Sequence, residues 1–305
     1  MWWAVARNEL SGKSMTHQSN PLEVRLAVQK LHELPAMSLN AQKFLLAVQN
    51  PEIEISALAG IIEQDPALLA RIIGVANSAY FAYPEPITTA EQAIIQVLGL
   101  DTTKSLALSI ILSGPFDATR CRGFHLEQFW LESVFAATLA QNLAPLLGGG
   151  VSLRPGSAYL AGLLHRIGLL AMVHLYPGLV SEVIEACQRS CDPATRQQLE
   201  QGQLQTDHAE VGGWLARKWH LPESVVVVVE HYSEVSYRGE QWPLVALIGF
   251  AARWAAAAVN GAEDDDYPCL SELQPLDIDI AQAGKKLARV ALRLDELREL
   301  AKLFS

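Results

Sequence analysis

From Pro21 onward the apolar residues recur at helical spacing, and most runs close at a residue that ends helices. Val24, Val28 and Leu31 mark a first helix over Leu22 to Leu34, stopped by Pro35. Ser38 to Val48 makes a second, ended by Asn50-Pro51, and Ser56 stands where it caps a third through Ile62. Asp65-Pro66 joins a side-chain acceptor to a proline at the first helical position, where a missing N–H is no loss, so a helix is predicted over Ala67 to Tyr80. Thr89 precedes a helix closed by Gly99, and Thr102 to Leu112 adds another. Nothing in this pattern asks for a sheet. The prediction is an all-α protein.

Gly114-Pro115 to Gly123 is the main internal break. Helical spacing resumes over Leu126 to Leu147, Gly156 to Val173 and Leu179 to Arg189. Asp207 and Glu210 have the spacing of a capping box for a helix over Asp207 to Trp219. Val225 to Val229 is five valines, which propensity assigns to a strand. Pro222 and Glu223 suit a first helical turn and no partner strand is evident, so the run is read as helix. Pro243 to Val259 follows, then Ala281 to Phe304, where Leu287, Val290, Ala291, Leu294 and Leu297 form one apolar stripe. The expected organisation is a tail over 1–20, a helical bundle over 21–115, a second helical half over 116–240 and a helical extension over 241–305.

A net charge of −10, with half of the 305 residues hydrophobic, describes a globular chain that repels a phosphate backbone. Generic nucleic-acid binding is therefore disfavoured. Val134 to Leu153, within the longest uncharged stretch, contains Gln141, Asn142, Pro145 and three consecutive glycines, so no membrane span is expected. Met1-Trp2-Trp3 lacks the basic start and apolar core of a signal peptide, which makes the cytoplasm the expected compartment. Four cysteines are too few for a disulfide framework; Cys187 and Cys191, four apart, are expected as reduced thiols on a helix. Ser11-Gly12-Lys13-Ser14 fails as a phosphate-binding loop because Arg7 stands where the first glycine belongs.

Several stretches resemble, in order, the HDOD domain, an HD-related output domain of bacterial signalling proteins. They are Leu34-Pro35; Ile62-Glu63-Gln64-Asp65-Pro66-Ala67-Leu68; Val75-Ala76-Asn77-Ser78-Ala79-Tyr80-Phe81; Ala93-Ile94 to Leu98-Gly99; and Leu106 to Ser109. Phe129-Trp130 with Ser133, Ala161 to His165, His208 to Gly212, Trp219 to Pro222 and Glu230-His231 complete the set. The resemblance spans roughly residues 22 to 235. It implies an N-terminal helical bundle docked on an HD-like helical half, and a regulator whose partners are other signalling proteins.

The resemblance also defines a degenerate centre. His165, His208 and His231 match histidines of HD enzymes, and Glu132 lies near the expected first ligand. Arg166 replaces the aspartate that would follow His165, and Tyr232 follows His231 where many relatives carry a second histidine. Guanidinium has five donors and no lone pair for a metal, and within about 4 Å it repels a dication by several kcal/mol. No catalytic residue and no cofactor are therefore expected; a residual metal would fall to His165, His208 and His231. The residues themselves allow a plainer reading: His165 packed and hydrogen-bonded, His208 half exposed in a first turn, His231 on the surface near Glu230. Arg166 is expected to pair with Glu132, Asp207 or Glu210 in place of the metal. Asn77, Ser78, Tyr80 and Phe81 are either a ligand or partner surface, or a helix end whose polar residues meet orphan carbonyls while the aromatics pack inward. Three functions follow: a non-catalytic regulator, a metal-dependent phosphohydrolase in which Arg166 binds substrate phosphate, and a receptor that binds a cyclic dinucleotide uncut. The sequence does not express an oligomeric state.

Overall fold

A computed structural model describes residues 39–50, 52–187, 193–263 and 266–304, and every regular element in them is a helix. The expected helix over 22–34, the tail, Leu34-Pro35 and Cys191 lie outside the described residues. The first helices are α1 (Leu39–Gln49), α2 (Ile55–Glu63) and α3 (Pro66–Ala76); α4 (Ala90–Gln92) continues as a π-helix over Ala93–Leu98 and is followed by α5 (Leu100–Ser113). Asp65 caps α3 as the sequence predicts, its side chain accepting from the N–H groups of Ala67 and Leu68 at 3.1 Å each. Ser56 does not cap α2. That helix begins at Ile55, two residues earlier than a Ser56 cap would set it, behind Glu54, which makes no side-chain cap, so Ser56 falls inside the first turn.

The second part comprises α6 (Leu126–Leu143), α7 (Pro155–Leu164), α8 (Ile167–Leu175), α9 (Pro177–Cys187), α10 (Pro193–Leu204), α11 (His208–Lys218) and α12 (Glu223–His231). Then come α13 (Trp242–Asn260), a 3-10 segment over Leu270–Leu276, α14 (Ile280–Ala291) and α15 (Leu294–Ala301). The valine run is helical, because all five side chains from Val225 to Val229 are buried on α12. The α-helix predicted to reach Leu147 gives way to 3-10 geometry at Ala144–Leu146, where Pro145 offers no N–H. No helix was expected over 193–204; a run with mostly polar side chains carries little periodic signal.

α6 is the axis of the molecule. Thirteen of its residues, including Glu132, Ser133 and Thr138, are buried, as expected of a helix surrounded on all sides. α7, α13, α14 and α15 pack against it, and α5 packs on α7. One hydrophobic cluster runs from Phe44 to Phe304. α6 and α7 meet at Gly162, where a Cβ would collide with the backbone of Ala137. α8 and α11 meet at Gly168, whose Cβ would collide with the His208 carbonyl and the Gly212 backbone.

Two predicted continuous helices are broken. The Gly156 to Val173 run divides at His165-Arg166, where Arg166 (φ −112°, ψ 18°) leaves helical geometry. The His165 Nδ1 lies 2.7 Å from the Gly162 carbonyl, so a side chain serves the acceptor a longer helix would have used. The C-terminal helix divides at Leu292-Arg293; Leu292 is exposed, and Arg293 donates to the Tyr80 carbonyl with its guanidinium 4.1 Å from the Tyr80 ring centre. Leu287, Val290 and Leu297 still face the core, so the extension docks on its own molecule. Pro155–Leu175 and Trp242–Asn260 have the length and hydropathy of a membrane span, and 83% and 50% of their apolar windows are buried within the protein. Cys187 is disulfide-bonded, which corrects the expectation of a free thiol there.

Candidate functional site

The His165-Arg166 turn brings Arg166 against α6. Its guanidinium binds the Glu132 carboxylate and donates to the Phe129 carbonyl at 2.9 Å, lying 5.0 Å from the centre of the Phe129 ring. The second Glu132 oxygen accepts from the Gln128 amide at 3.2 Å. Only 12% of the Arg166 side chain and 11% of the Glu132 side chain are exposed. Of the three acidic partners open to Arg166 in the sequence, the fold selects Glu132. Asp207 instead caps α11 and accepts from Gln197 and Gln201; burial acts to raise its pKa, but these hydrogen bonds outweigh it and hold the carboxyl below its usual range. Glu210 accepts from the Thr206 hydroxyl at 2.8 Å.

His208 is 1% exposed, so the expectation of a half-exposed histidine is corrected. The reason is α10, which covers it. The Glu200 carboxylate on that helix accepts from the His208 backbone N–H at 2.9 Å and from Nδ1 at 2.5 Å. A carboxylate only accepts, so Nδ1 carries hydrogen, and in the neutral ring Nε2 then accepts from the Tyr232 hydroxyl, 2.6 Å away. Tyr232 is buried just past α12, with its ring edge-on to His165 at 4.7 Å between centres. Burial pushes the Tyr232 hydroxyl pKa up, while the Arg166 and Arg196 charges oppose that shift. The chain Glu200–His208–Tyr232 therefore ties α10, α11 and the end of α12 together.

His165 is fully enclosed. Its pKa is lowered from 6.5 to about 3, first by burial and then by the Arg166 charge. His231 is not part of this cluster. It pairs with Glu234 at 2.8 Å, stacks on Tyr237 and keeps 32% of its side chain exposed. The three histidines carried as possible metal ligands do not converge, and no group of three His, Cys, Asp or Glu side chains able to hold a metal is found among the described residues. The donor chemistry agrees. Both His208 ring nitrogens and the His165 Nδ1 are already engaged, and the residue after His165, where the resemblance implies a carboxylate, is the cation Arg166. These residues do not fit a metal centre of the HD type.

Asn77, Ser78, Tyr80 and Phe81 lie away from this cluster. Asn77 closes α3 through its backbone N–H on the Ile73 carbonyl, but its side-chain amide leaves the helix end and brackets the Ile87 backbone, donating at 2.8 Å and accepting at 2.9 Å, and so fixes the loop before α4. The buried Ser78 hydroxyl has no hydrogen-bond partner among the described residues. Tyr80 and Phe81 pack edge-to-face, half-buried against the core, with Arg293 over Tyr80.

Beside the buried network lies a cavity of about 500 Å³, with Glu132, His165, Arg166, Arg196, Tyr232 and Phe129 among its walls. Glu200 and Arg196 escaped the sequence reading because α10 did. Pro193, suited to a first helical position, was the signal that could have placed that helix.

The comparisons with known proteins agree with this architecture. The family model of the HDOD domain matches residues 34–235. A candidate signal transduction protein from Marinobacter aquaeolei VT8 superposes with a TM-score of 0.79 at 21% identity, covering 95% of this chain and 67% of that one. A candidate phosphohydrolase from Shewanella amazonensis SB2B gives 0.72 at 26% identity over 91% and 97%. An HDOD domain protein of unknown function from Geobacter sulfurreducens gives 0.67 at 22% identity over 90% and 96%. An uncharacterized protein of Treponema pallidum (strain Nichols) is 26% identical over 226 residues, 73% of this chain, and the match spans only 42% of that relative's length. With its all-helical fold and a family match over most of its length, this chain belongs to the HDOD domain family.

Proposed function

We propose that this protein is a non-catalytic HDOD regulator that acts in the cytoplasm through contacts with other signalling proteins. The observation that carries the reading is the ion pair between Arg166 and Glu132, held in the place where an HD enzyme keeps a ligand carboxylate. Water activation by a metal requires ligand lone pairs that converge on an open position. Here the carboxylate is neutralised by arginine, His208 is spent on Glu200 and Tyr232, and His231 faces elsewhere. The same pair weighs against Arg166 as a binder of substrate phosphate, because two of its nitrogens already serve Glu132 and the Phe129 carbonyl.

The test is metal content and turnover. Protein purified without chelators and offered manganese, iron or zinc is expected to hold well under one equivalent and to leave bis(p-nitrophenyl) phosphate intact. Stoichiometric metal, with hydrolysis abolished by His165→Ala, reverses the reading. Capture of another signalling protein from the native cell, lost when the surface it uses is changed, is the positive arm.

A further inference from the structure

The cavity beside the closed centre is unevenly charged. Arg166 is balanced by Glu132, while Arg196, also on the wall, makes no ion pair or hydrogen bond among the described residues. His125 at the start of α6 supplies a further ring that can donate. Phe124 and Phe129 touch at 5.8 Å between ring centres and, with Ala256 and Val259 of α13, make one apolar side, while Gln128 and Asn260, hydrogen-bonded at 2.9 Å, add amide groups. A guanidinium with no ion-pair partner among the described residues, beside two phenyl rings and in a space of about 500 Å³, suits a compact molecule with an anionic end and a flat body.

We propose that this cavity binds a small planar organic oxyanion, with its phosphate or carboxylate on Arg196 and its ring against Phe124, Phe129 and Val259. The inference rests on the reading that the centre is closed to metal, since the anion then meets a side chain and not an ion. It moves the anion-binding role from Arg166, which is spoken for, to a residue that the sequence motifs do not mark. A nucleotide monophosphate fits the description, and so does an aromatic acid; the shared chemistry is a flat ring bearing an oxyanion.

Calorimetry with the full chain separates the cases. Adenosine monophosphate, phenyl phosphate and benzoate are the probes, with inorganic phosphate and adenosine as controls. At least one probe is expected to bind saturably and remain intact, at least tenfold more tightly than either control. Preference for phenyl phosphate over benzoate, or the reverse, identifies the anionic group. Arg196→Gln is expected to weaken that probe at least tenfold with an unchanged thermal midpoint. Ala256→Phe, which fills the cavity and leaves Arg196 in place, gives the same loss and serves if the first variant misfolds. No binding by any probe, equal binding to wild type and both variants, or inorganic phosphate binding as tightly as the ring-bearing probes overturns the inference and leaves the non-catalytic reading standing. Hydrolysis of a phosphate probe with a stoichiometric metal overturns both.

Discussion

Arg166 and Glu132 form an ion pair between α6 and the turn that joins α7 to α8, each with about a tenth of its side chain exposed. A pair this enclosed owes its existence to mutual neutralisation, because either charge alone would be desolvated without compensation.

Breaking the pair from one side should therefore cost far more than removing it whole. Arg166→Met or Glu132→Leu alone is expected to lower stability by about 3–5 kcal/mol, whereas the double variant recovers most of that loss. Urea unfolding of the four proteins measures the coupling. Two single losses that simply add in the double variant would show that the charges do not depend on one another.

His165 gives the protein a pH dependence whose sign can be worked out. Its pKa lies at about 3 in the fold against an ordinary value of 6.5, so between these values the unfolded chain binds a proton that the native one refuses. The stability from keeping His165 neutral is complete above about pH 6.5 and falls as the solution is acidified, by at most about 1.4 kcal/mol per pH unit. His165→Asn, compared with wild type by urea unfolding between pH 7.5 and 5, should lose that part of the slope. Identical slopes would mean that His165 takes up a proton in the native state.

The buried Tyr232 hydroxyl is the partner of the His208 Nε2, 2.6 Å away. Tyr232→Phe keeps the ring against His165 but leaves a buried imidazole nitrogen with no partner, at an expected cost of about 1–3 kcal/mol. A change below about 0.5 kcal/mol in the unfolding free energy would argue that the His208–Tyr232 contact does not hold the helices together.

Much of the fold was legible because helix punctuation is local. Asp65-Pro66 had to begin a helix, and the five valines beginning three residues after Pro222 could be assigned against their own propensity. The departures arise where a side chain takes over a backbone role. His165 engages the Gly162 carbonyl and ends α7, and Arg293 reaches Tyr80 where the C-terminal helix breaks. Neither contact is visible in helical periodicity. The candidate site was legible in part. Glu132, His165, Arg166 and His208 are gathered at or beside one centre, while His231 turns to Glu234 and Tyr237.

The sequence by itself determined the all-helical class, the family and the presence of an arginine directly after His165, since each is written in spacing or in side-chain chemistry. Only the tertiary structure chose Glu132 over Asp207 and Glu210 as the partner of that arginine, and only it delivered Glu200 to His208 from a helix with no periodic signature. The reason is geometric. Which charge meets which inside a protein depends on how helices cross, and crossings are decided by contacts such as Gly162 on Ala137 and Gly168 on Gly212, between residues far apart along the chain.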